Sequence, residues 1–253
     1  MTELYKKSWL EENLLDLPKW QRDAFLKFAN MINDDANTYP CVPGRQGFQL
    51  DHLRFGFSCD PRKSESYYTL AALLKQYSEC SRDTGKYASL VVIFETPEDL
   101  TENASVEMYE NLFWTLLNET AKLDEAEWPE NIPDNPSHHS WEFCFNGEPF
   151  FAFCATPAHV IRKSRHFPYF ILAFQPRWVF EKVNDSTPFG KKIKKAIRKR
   201  LVNYDGIPAH PSLKWYGQKD NHEWEQYFLR DDDTSLSKCP FSRMKHALNK
   251  LRF

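Results

Sequence analysis

Apolar residues recur along the chain at two spacings, one typical of helices and the other of strands. A first helix is predicted to follow Pro18, with an inward-facing stripe of Trp20, Ala24, Phe28 and Ile32. Further helices are predicted over about 65–80 and 105–122 on the same periodicity. The segment 38–48 holds two prolines and two glycines, so it is predicted to be a loop.

Three stretches have the composition of strands. Residues 87–94, YASLVVIF, form a continuous apolar run rich in β-branched side chains. Such a run predicts a central strand covered on both faces. Residues 169–174, YFILAF, predict a second strand, and a further strand is predicted near 224–229.

The pair Asn146-Gly147 is the strongest turn signal in the chain. It separates SWEFCF from PFFAFC, and both positions of a two-residue hairpin turn favour residues that accept a positive φ. The strands 140–145 and 148–154 are therefore predicted to pair. In that register Phe145 lies opposite Glu148, Cys144 opposite Pro149, and Phe143 opposite Phe150.

The last predicted helix begins at Pro188, is capped by Thr187 and ends before Gly206. Its basic residues at 191–200 are predicted to face solvent, over an apolar stripe of Phe189, Ile193, Ile197 and Leu201. Because helices alternate only loosely with strands, the fold class is α+β. We expect a single domain over residues 1–253, with a mostly antiparallel central sheet and flanking helices.

Composition narrows the classes of function. Aromatic residues make up 15 % of the 253 residues, which predicts a bulky aromatic core or an aromatic-lined cavity. The net charge of −2 argues against a nucleic-acid partner, and no apolar run is long enough for a membrane. The six cysteines form no C-x-x-C pair, and the first residues lack the apolar core of a signal peptide. The sequence therefore predicts a cytoplasmic protein with reduced thiols. With eight glycines and no G-x-G-x-x-G or P-loop, the chain gives no support for nicotinamide, flavin or NTP chemistry by the common folds. The expected partner is a small-molecule substrate, and a homodimer stays open.

Two segments carry candidate chemistry. The segment 155–166, ATPAHVIRKSRH, gathers His159, Arg162, Arg165 and His166 directly after a buried-looking strand. Arginine suits carboxylates or phosphates, and imidazole suits a metal or proton transfer; the alternative is a solvated surface loop. Cys41 lies between two prolines, where rigid flanks could hold a thiolate at a cofactor; the alternative is a small buried apolar residue.

Four stretches together resemble the YqcI/YcgG family. They are PCVPGRQGF with LRFGF at 40–57, GEPFFAFCATPAHVIRKSR at 147–165, FPYFILAFQPRWVF at 167–180 and HPSLKWYGQKDNHEWEQYFLRDDD at 210–233. The resemblance implies a relationship to haem-dependent oxygenases that N-hydroxylate a guanidino or amino group. That branch has His-Pro after the Phe-Phe strand, where this chain has Thr156-Pro157, so the identity of the axial ligand stays open.

The resemblance implies an iron-haem cofactor with Cys41 or His159 as the axial ligand. The cations for its propionates would come from Arg45, Arg54, Arg162, Arg165 and Arg177. Glu142 or Glu148 could hold a cationic substrate. The segments 40–48 and 155–166 are predicted to converge on one aromatic cavity lined by both Cys41 and His159. The leading function is a haem-dependent oxygenase-like protein acting on a small nitrogen-containing metabolite, and the alternative is a non-catalytic haem- or small-ligand-binding protein.

Overall fold

The strands form one mixed sheet in which antiparallel pairs dominate. The computed structural model describes residues 3–182, 188–214 and 218–242. Its strands are β1 (Tyr5–Lys6), β2 (Leu53–Ser58), β3 (Ser89–Phe94), β4 (Phe143–Phe145), β5 (Glu148–Ala155) and β6 (Ile171–Pro176). Their spatial order is β1-β2-β3-β6-β5-β4. Only β2 and β3 pair in parallel within the described ranges, which confirms the predicted α+β fold with a mostly antiparallel sheet.

Helices cover both faces of the sheet. They are α1 (Lys7–Glu12), α2 (Lys19–Asn33), α3 (Val42–Gln49), α4 (Glu65–Cys80), α5 (Glu98–Asn103), α6 (Val106–Ala121), α7 (Arg177–Lys182) and α8 (Pro188–Asp205). The predicted helices after Pro18, over 65–80 and over 105–122 correspond to α2, α4 and α6 and are confirmed. In the part of the chain that the structure describes, no helix combines the length and apolar composition needed to cross a bilayer.

The strand β3 separates two apolar clusters. Leu90, Val92 and Phe94 pack into the cluster under α4 and α6, whereas Val91 and Ile93 pack into the cluster under α2 and α3. Successive side chains of a strand point to opposite faces, so a continuous apolar run fills both layers. The prediction of a central strand covered on both faces is confirmed.

The predicted hairpin is confirmed in its register. Phe143 lies opposite Phe150, Cys144 opposite Pro149, and Phe145 opposite Glu148. Asn146 and Gly147 have φ angles of 50° and 74°, the left-handed conformation that a two-residue turn of this type requires.

The helix α8 begins at Pro188 as predicted, and Gly206 follows its end with a φ of 75°. The predicted cap Thr187 lies outside the described residues, as do the side chains of Phe189 and Ile193. Of the basic residues, Lys195, Lys199 and Arg200 are exposed, as expected for a solvated face.

The predicted loop at 38–48 is confirmed for residues 38–41 and wrong from residue 42 onward, because Val42–Gln49 forms the helix α3. Pro43 lies in the first turn, where its missing N–H costs no hydrogen bond. Gly47 is needed for close packing instead of a turn: a Cβ there would lie 2.7 Å from the carbonyl oxygen of Tyr87. In this segment Pro43 therefore favours the start of a helix, and Gly47 allows that helix to pack closely against its neighbour.

The predicted strand near 224–229 is also wrong. Residues Glu223–Gln226 form a short 3-10 helix. Tyr227 and Phe228 follow Trp224 at spacings of three and four residues, so one helical turn places all three in the core under α4 and α6. The Tyr227 hydroxyl donates to the carbonyl of Phe150 at 3.0 Å and so fixes this turn against β5.

Candidate aromatic cavity

A cavity of about 210 Å³ lies between one face of the sheet and the helices α2 and α3. Its wall is almost entirely apolar, and six aromatic rings contribute to it: Phe28, Tyr39, Phe151, Phe153, Phe167 and Phe180. The polar side chains on the wall, besides Tyr39, are Cys41, Ser89, His166 and Gln175. An apolar cavity with few polar groups is the usual form of a small-molecule site.

The floor of the cavity is formed by inner strands. Ala173 of β6 lies between Val91 of β3 and Phe153 of β5. Although β6 is an inner strand, Ala173 and Gln175 are only half-buried. Protein interiors are close-packed, so larger side chains normally fill the space over the middle of a sheet. The small side chain of Ala173 leaves this space open as a slot.

The two segments predicted to converge do so. Tyr39, Cys41 and Gly44 line the cavity together with His166 and Phe167. The Tyr39 hydroxyl donates to the carbonyl of Ser164 at 3.0 Å, which ties the start of α3 to the segment after β5. The convergence on one aromatic cavity is therefore confirmed.

Cys41 occupies the N-cap position of α3. Its sulfur accepts the Gly44 N–H at 3.3 Å, and a Cβ at position 44 would lie 3.1 Å from that sulfur. Cys41 as a residue is exposed, yet protein atoms desolvate its sulfur, and this burial raises the pKa of the thiol. Cys41 thus presents mainly a neutral thiol to the cavity at neutral pH.

The prediction that His159 shares this cavity is wrong. Its ring is buried against Phe228, with 5.5 Å between ring centroids. The Nε2–H donates to the carbonyl of Leu229, so Nδ1 accepts the Thr156 hydroxyl; both contacts are 2.8 Å. With both nitrogens engaged, His159 serves to fix the loop after β5.

This arrangement predicts an acid-sensitive fold. Burial lowers the pKa of His159 from 6.5 to about 4. Between about pH 6.5 and pH 4, His159 therefore binds a proton in the unfolded chain but not in the folded protein. The free energy of unfolding is then highest above pH 6.5 and decreases as the pH falls through this range. The expected loss from this residue is about 2 kcal/mol near pH 5.

The measurement is the difference in melting temperature between about pH 7 and about pH 5. His159→Gln, whose amide can still donate to the Leu229 carbonyl, should narrow that difference. His138→Gln, at an exposed site, should leave it unchanged. An equal difference in wild type and His159→Gln would contradict the assignment.

His166 is the imidazole that lines the cavity, although sequence reasoning favoured His159. The Nδ1–H of His166 donates to the carbonyl of His159 at 2.8 Å. This hydrogen bond leaves Nε2 as the ring atom with a free lone pair, and Nε2 has no hydrogen bond within the described residues. The sequence signal was present, since His166 ends the segment that contains His159.

The two arginines of this segment have structural partners. Arg165 is buried and donates to the carbonyls of Cys154, Tyr227 and Gln226. Its guanidinium also lies 4.3 Å from the ring centroid of Phe153, behind the cavity wall. Arg162 donates to the carbonyls of Arg230 and Pro208 and forms an ion pair of 2.7 Å with Asp233.

The other predicted arginines lie beside the cavity or away from it. Arg45 donates to the carbonyl of Ile32, a wall residue, and pairs with Asp35 at 2.8 Å. Arg54 donates to the carbonyls of Asp51 and Leu53. Arg177 lies 3.8 Å from Glu142 and 3.4 Å from Glu181. None of the five predicted arginines belongs to the described wall.

The predicted substrate carboxylates are also outside the described wall. Glu142 is buried and lies near Arg177. Glu148 is half-buried and lies 3.5 Å from Arg82. No group of three or more metal-ligating side chains is placed to hold an ion in the described ranges; haem iron needs only one or two protein ligands.

The fold and the site define an α+β protein with an aromatic cavity whose wall carries one thiol and one imidazole. The model of the YqcI/YcgG family matches residues 28–242, and the chain belongs to this family.

Three relatives align along most of the chain. Two are from Bacillus subtilis (strain 168): "Uncharacterized protein YqcI" is 57 % identical over 100 % of this chain and 99 % of its own, and "Uncharacterized protein YcgG" is 56 % identical over 98 % of each. A third, from Streptomyces lavendulae, is "Putative N(omega)-hydroxy-L-arginine synthase DcsA". It is 35 % identical over 90 % of this chain and 86 % of its own. No solved structure shows a significant match.

Proposed function

We propose that this protein is a haem-dependent oxygenase-like enzyme that N-hydroxylates an amino or guanidino group of a small metabolite. The observation that carries the proposal is the apolar cavity over the inner strands, with Cys41 and His166 on its wall. The Streptomyces lavendulae relative supports the reaction class, because its name gives an N-hydroxylated arginine as the product.

The residues on the wall meet part of what a haem requires. A porphyrin needs an apolar slot and one axial histidine or cysteine, and the cavity offers aromatic rings with His166 and Cys41. Arg45 follows Gly44 of the wall, but its guanidinium donates to the Ile32 carbonyl and pairs with Asp35, so no residue of the described wall supplies a cation for a propionate. The cavity of about 210 Å³ is smaller than the roughly 300–1,000 Å³ usual for ligand sites, so a haem would need more room than this conformation provides.

Bound haem would supply the iron at which oxygen is activated. The chain would do the rest: its aromatic rings exclude water, and the Gln175 amide and Ser89 hydroxyl offer acceptors for a substrate N–H. Hydroxylation replaces one N–H by N–OH. With hydrogen peroxide as the oxidant, the second oxygen leaves as water.

The test is a spectrum followed by turnover. Protein purified from haem-supplied cells should show a Soret band. With peroxide, or with NADPH and a reductase, it should add one oxygen atom to arginine or a related amine, detected by mass spectrometry. A wild-type protein without a Soret band under these conditions would overturn the proposal.

The alternative is a non-catalytic haem- or small-ligand-binding protein. It is favoured by one observation: the described wall includes no carboxylate to hold a guanidinium. A Soret band without any oxygenated product from arginine-like substrates would support this alternative.

A further inference from the structure

In this conformation the volume of the aromatic cavity suits a small flat molecule. An apolar cavity of about 150 Å³ can bind benzene, and this cavity has about 210 Å³. Its floor at Ala173 lies between Val91 and Phe153 of the neighbouring strands. The aromatic rings of the wall offer edge-to-face and offset-stacked contacts, which favour another aromatic ring. The space therefore fits a ligand of one or two fused rings.

The charge distribution around the cavity favours a neutral ligand. Among the described residues, the wall includes no aspartate, glutamate, lysine or arginine. An ammonium, guanidinium or carboxylate group that entered would lose its hydration and gain no counter-charge from the wall. Behind the wall, the Arg165 guanidinium lies 4.3 Å from the ring centroid of Phe153, so a second cation in the cavity would also be repelled.

Two neutral polar side chains lie at one end of the floor. Ser89 and Gln175 each come one residue beyond the pair Leu90 and Phe174 on β3 and β6, and both line the cavity. The Ser89 hydroxyl donates to the carbonyl of Phe174 at 3.2 Å, so its oxygen can still accept a hydrogen bond. The amide of Gln175 is half-buried and is engaged by no other described residue. These two oxygens can accept from an N–H group of a ligand.

We propose that the cavity binds a neutral aromatic compound of one or two rings that carries an N–H group, such as an arylamine or an indole. The ring lies over Ala173, and the N–H donates to the amide oxygen of Gln175 or the hydroxyl of Ser89. The inference rests on the proposed function, which makes this cavity the ligand site and nitrogen the reacting atom. It narrows the substrate from charged arginine-like compounds to neutral aromatic ones. Binding itself needs no cofactor, so it can be measured on protein without haem.

The experiment is calorimetric titration of the full chain, purified without added haem, with indole, with indene and with arginine. Indene has the ring size of indole but no N–H. Wild type should bind indole about tenfold or more tighter than arginine. Gln175→Met should lower the affinity for indole about fivefold and should not lower the affinity for indene.

Two further variants test where the ring lies. Ala173→Phe fills the slot and should weaken the binding of indole and of indene about tenfold or more. The matched control Gln49→Met makes the glutamine-to-methionine change at an exposed site on α3, so it should leave both affinities unchanged. Melting temperatures of all variants show whether each one is folded.

The outcomes separate this inference from the proposed function. Indole binding with the expected losses, by a protein that shows no Soret band when supplied with haem, supports the inference and overturns the oxygenase. A Soret band with turnover of arginine but no binding of indole overturns the inference alone. Arginine bound as tightly as indole, or full indole affinity in folded Ala173→Phe or folded Gln175→Met, also overturns it.

Discussion

Ala173→Phe is expected to lower haem uptake and turnover by about tenfold or more, equivalent to about 1.4 kcal/mol of binding free energy. Ala173 lies on the inner strand β6 and its methyl group faces the cavity. A benzyl group at this position occupies space that the ligand needs. Because that space is unfilled by other side chains, the fold should lose less than the roughly 1–3 kcal/mol typical of overpacked cores.

Soret absorbance, product formation and melting temperature measured on the same preparation check this prediction. Ala173→Ser is the matched control, because it changes the same position while keeping the slot open. Full haem uptake by a stably folded Ala173→Phe would show that the ligand binds elsewhere.

Arg165→Met is expected to destabilise the fold by about 3 kcal/mol, while Met retains much of the packing against Phe153. Three carbonyl groups, of Cys154, Tyr227 and Gln226, would lose a charged donor. Part of this loss is offset, since burial disfavours the cation and lowers the pKa of Arg165 to about 10.

Thermal unfolding should show a melting temperature lower by about 10 °C for a domain of this size. Lys163→Met, two residues away and exposed, should change it little. Equal melting temperatures for Arg165→Met and wild type would mean that the three carbonyls find other donors.

Much of the fold could be predicted because local chemistry agrees with tertiary packing. Asn146-Gly147 specifies its turn through backbone conformation alone, and the apolar run of β3 fits only a strand covered on both faces. The errors arose where one residue type has two uses. Pro43 and Gly47 are typical of loops, but here they start and pack a helix; the aromatic residues after His222 have strand-like composition but pack at helical spacing.

The sequence predicted which two segments form the site, but not which of their side chains line the cavity. Convergence of the two segments followed from their composition, and Cys41 was placed on the wall. The choice between His159 and His166 depends on partners distant in sequence, since Leu229 occupies one nitrogen of His159. The arginines were wrongly predicted as ligand-binding residues. Each guanidinium has five N–H donors, and these can bind carbonyl groups of the protein as well as a ligand, as Arg165 does.

The position of β6 between β3 and β5 governs the order in which the chain can assemble. Val91 of β3 pairs with Ala173, which emerges from the ribosome much later. Until then, β3 has an unpaired apolar edge beside β2, the kind of edge that pairs with other chains. Nascent chains from which β6 has not yet emerged should therefore aggregate or bind chaperones, whereas chains whose residue 176 has left the ribosome can complete the sheet.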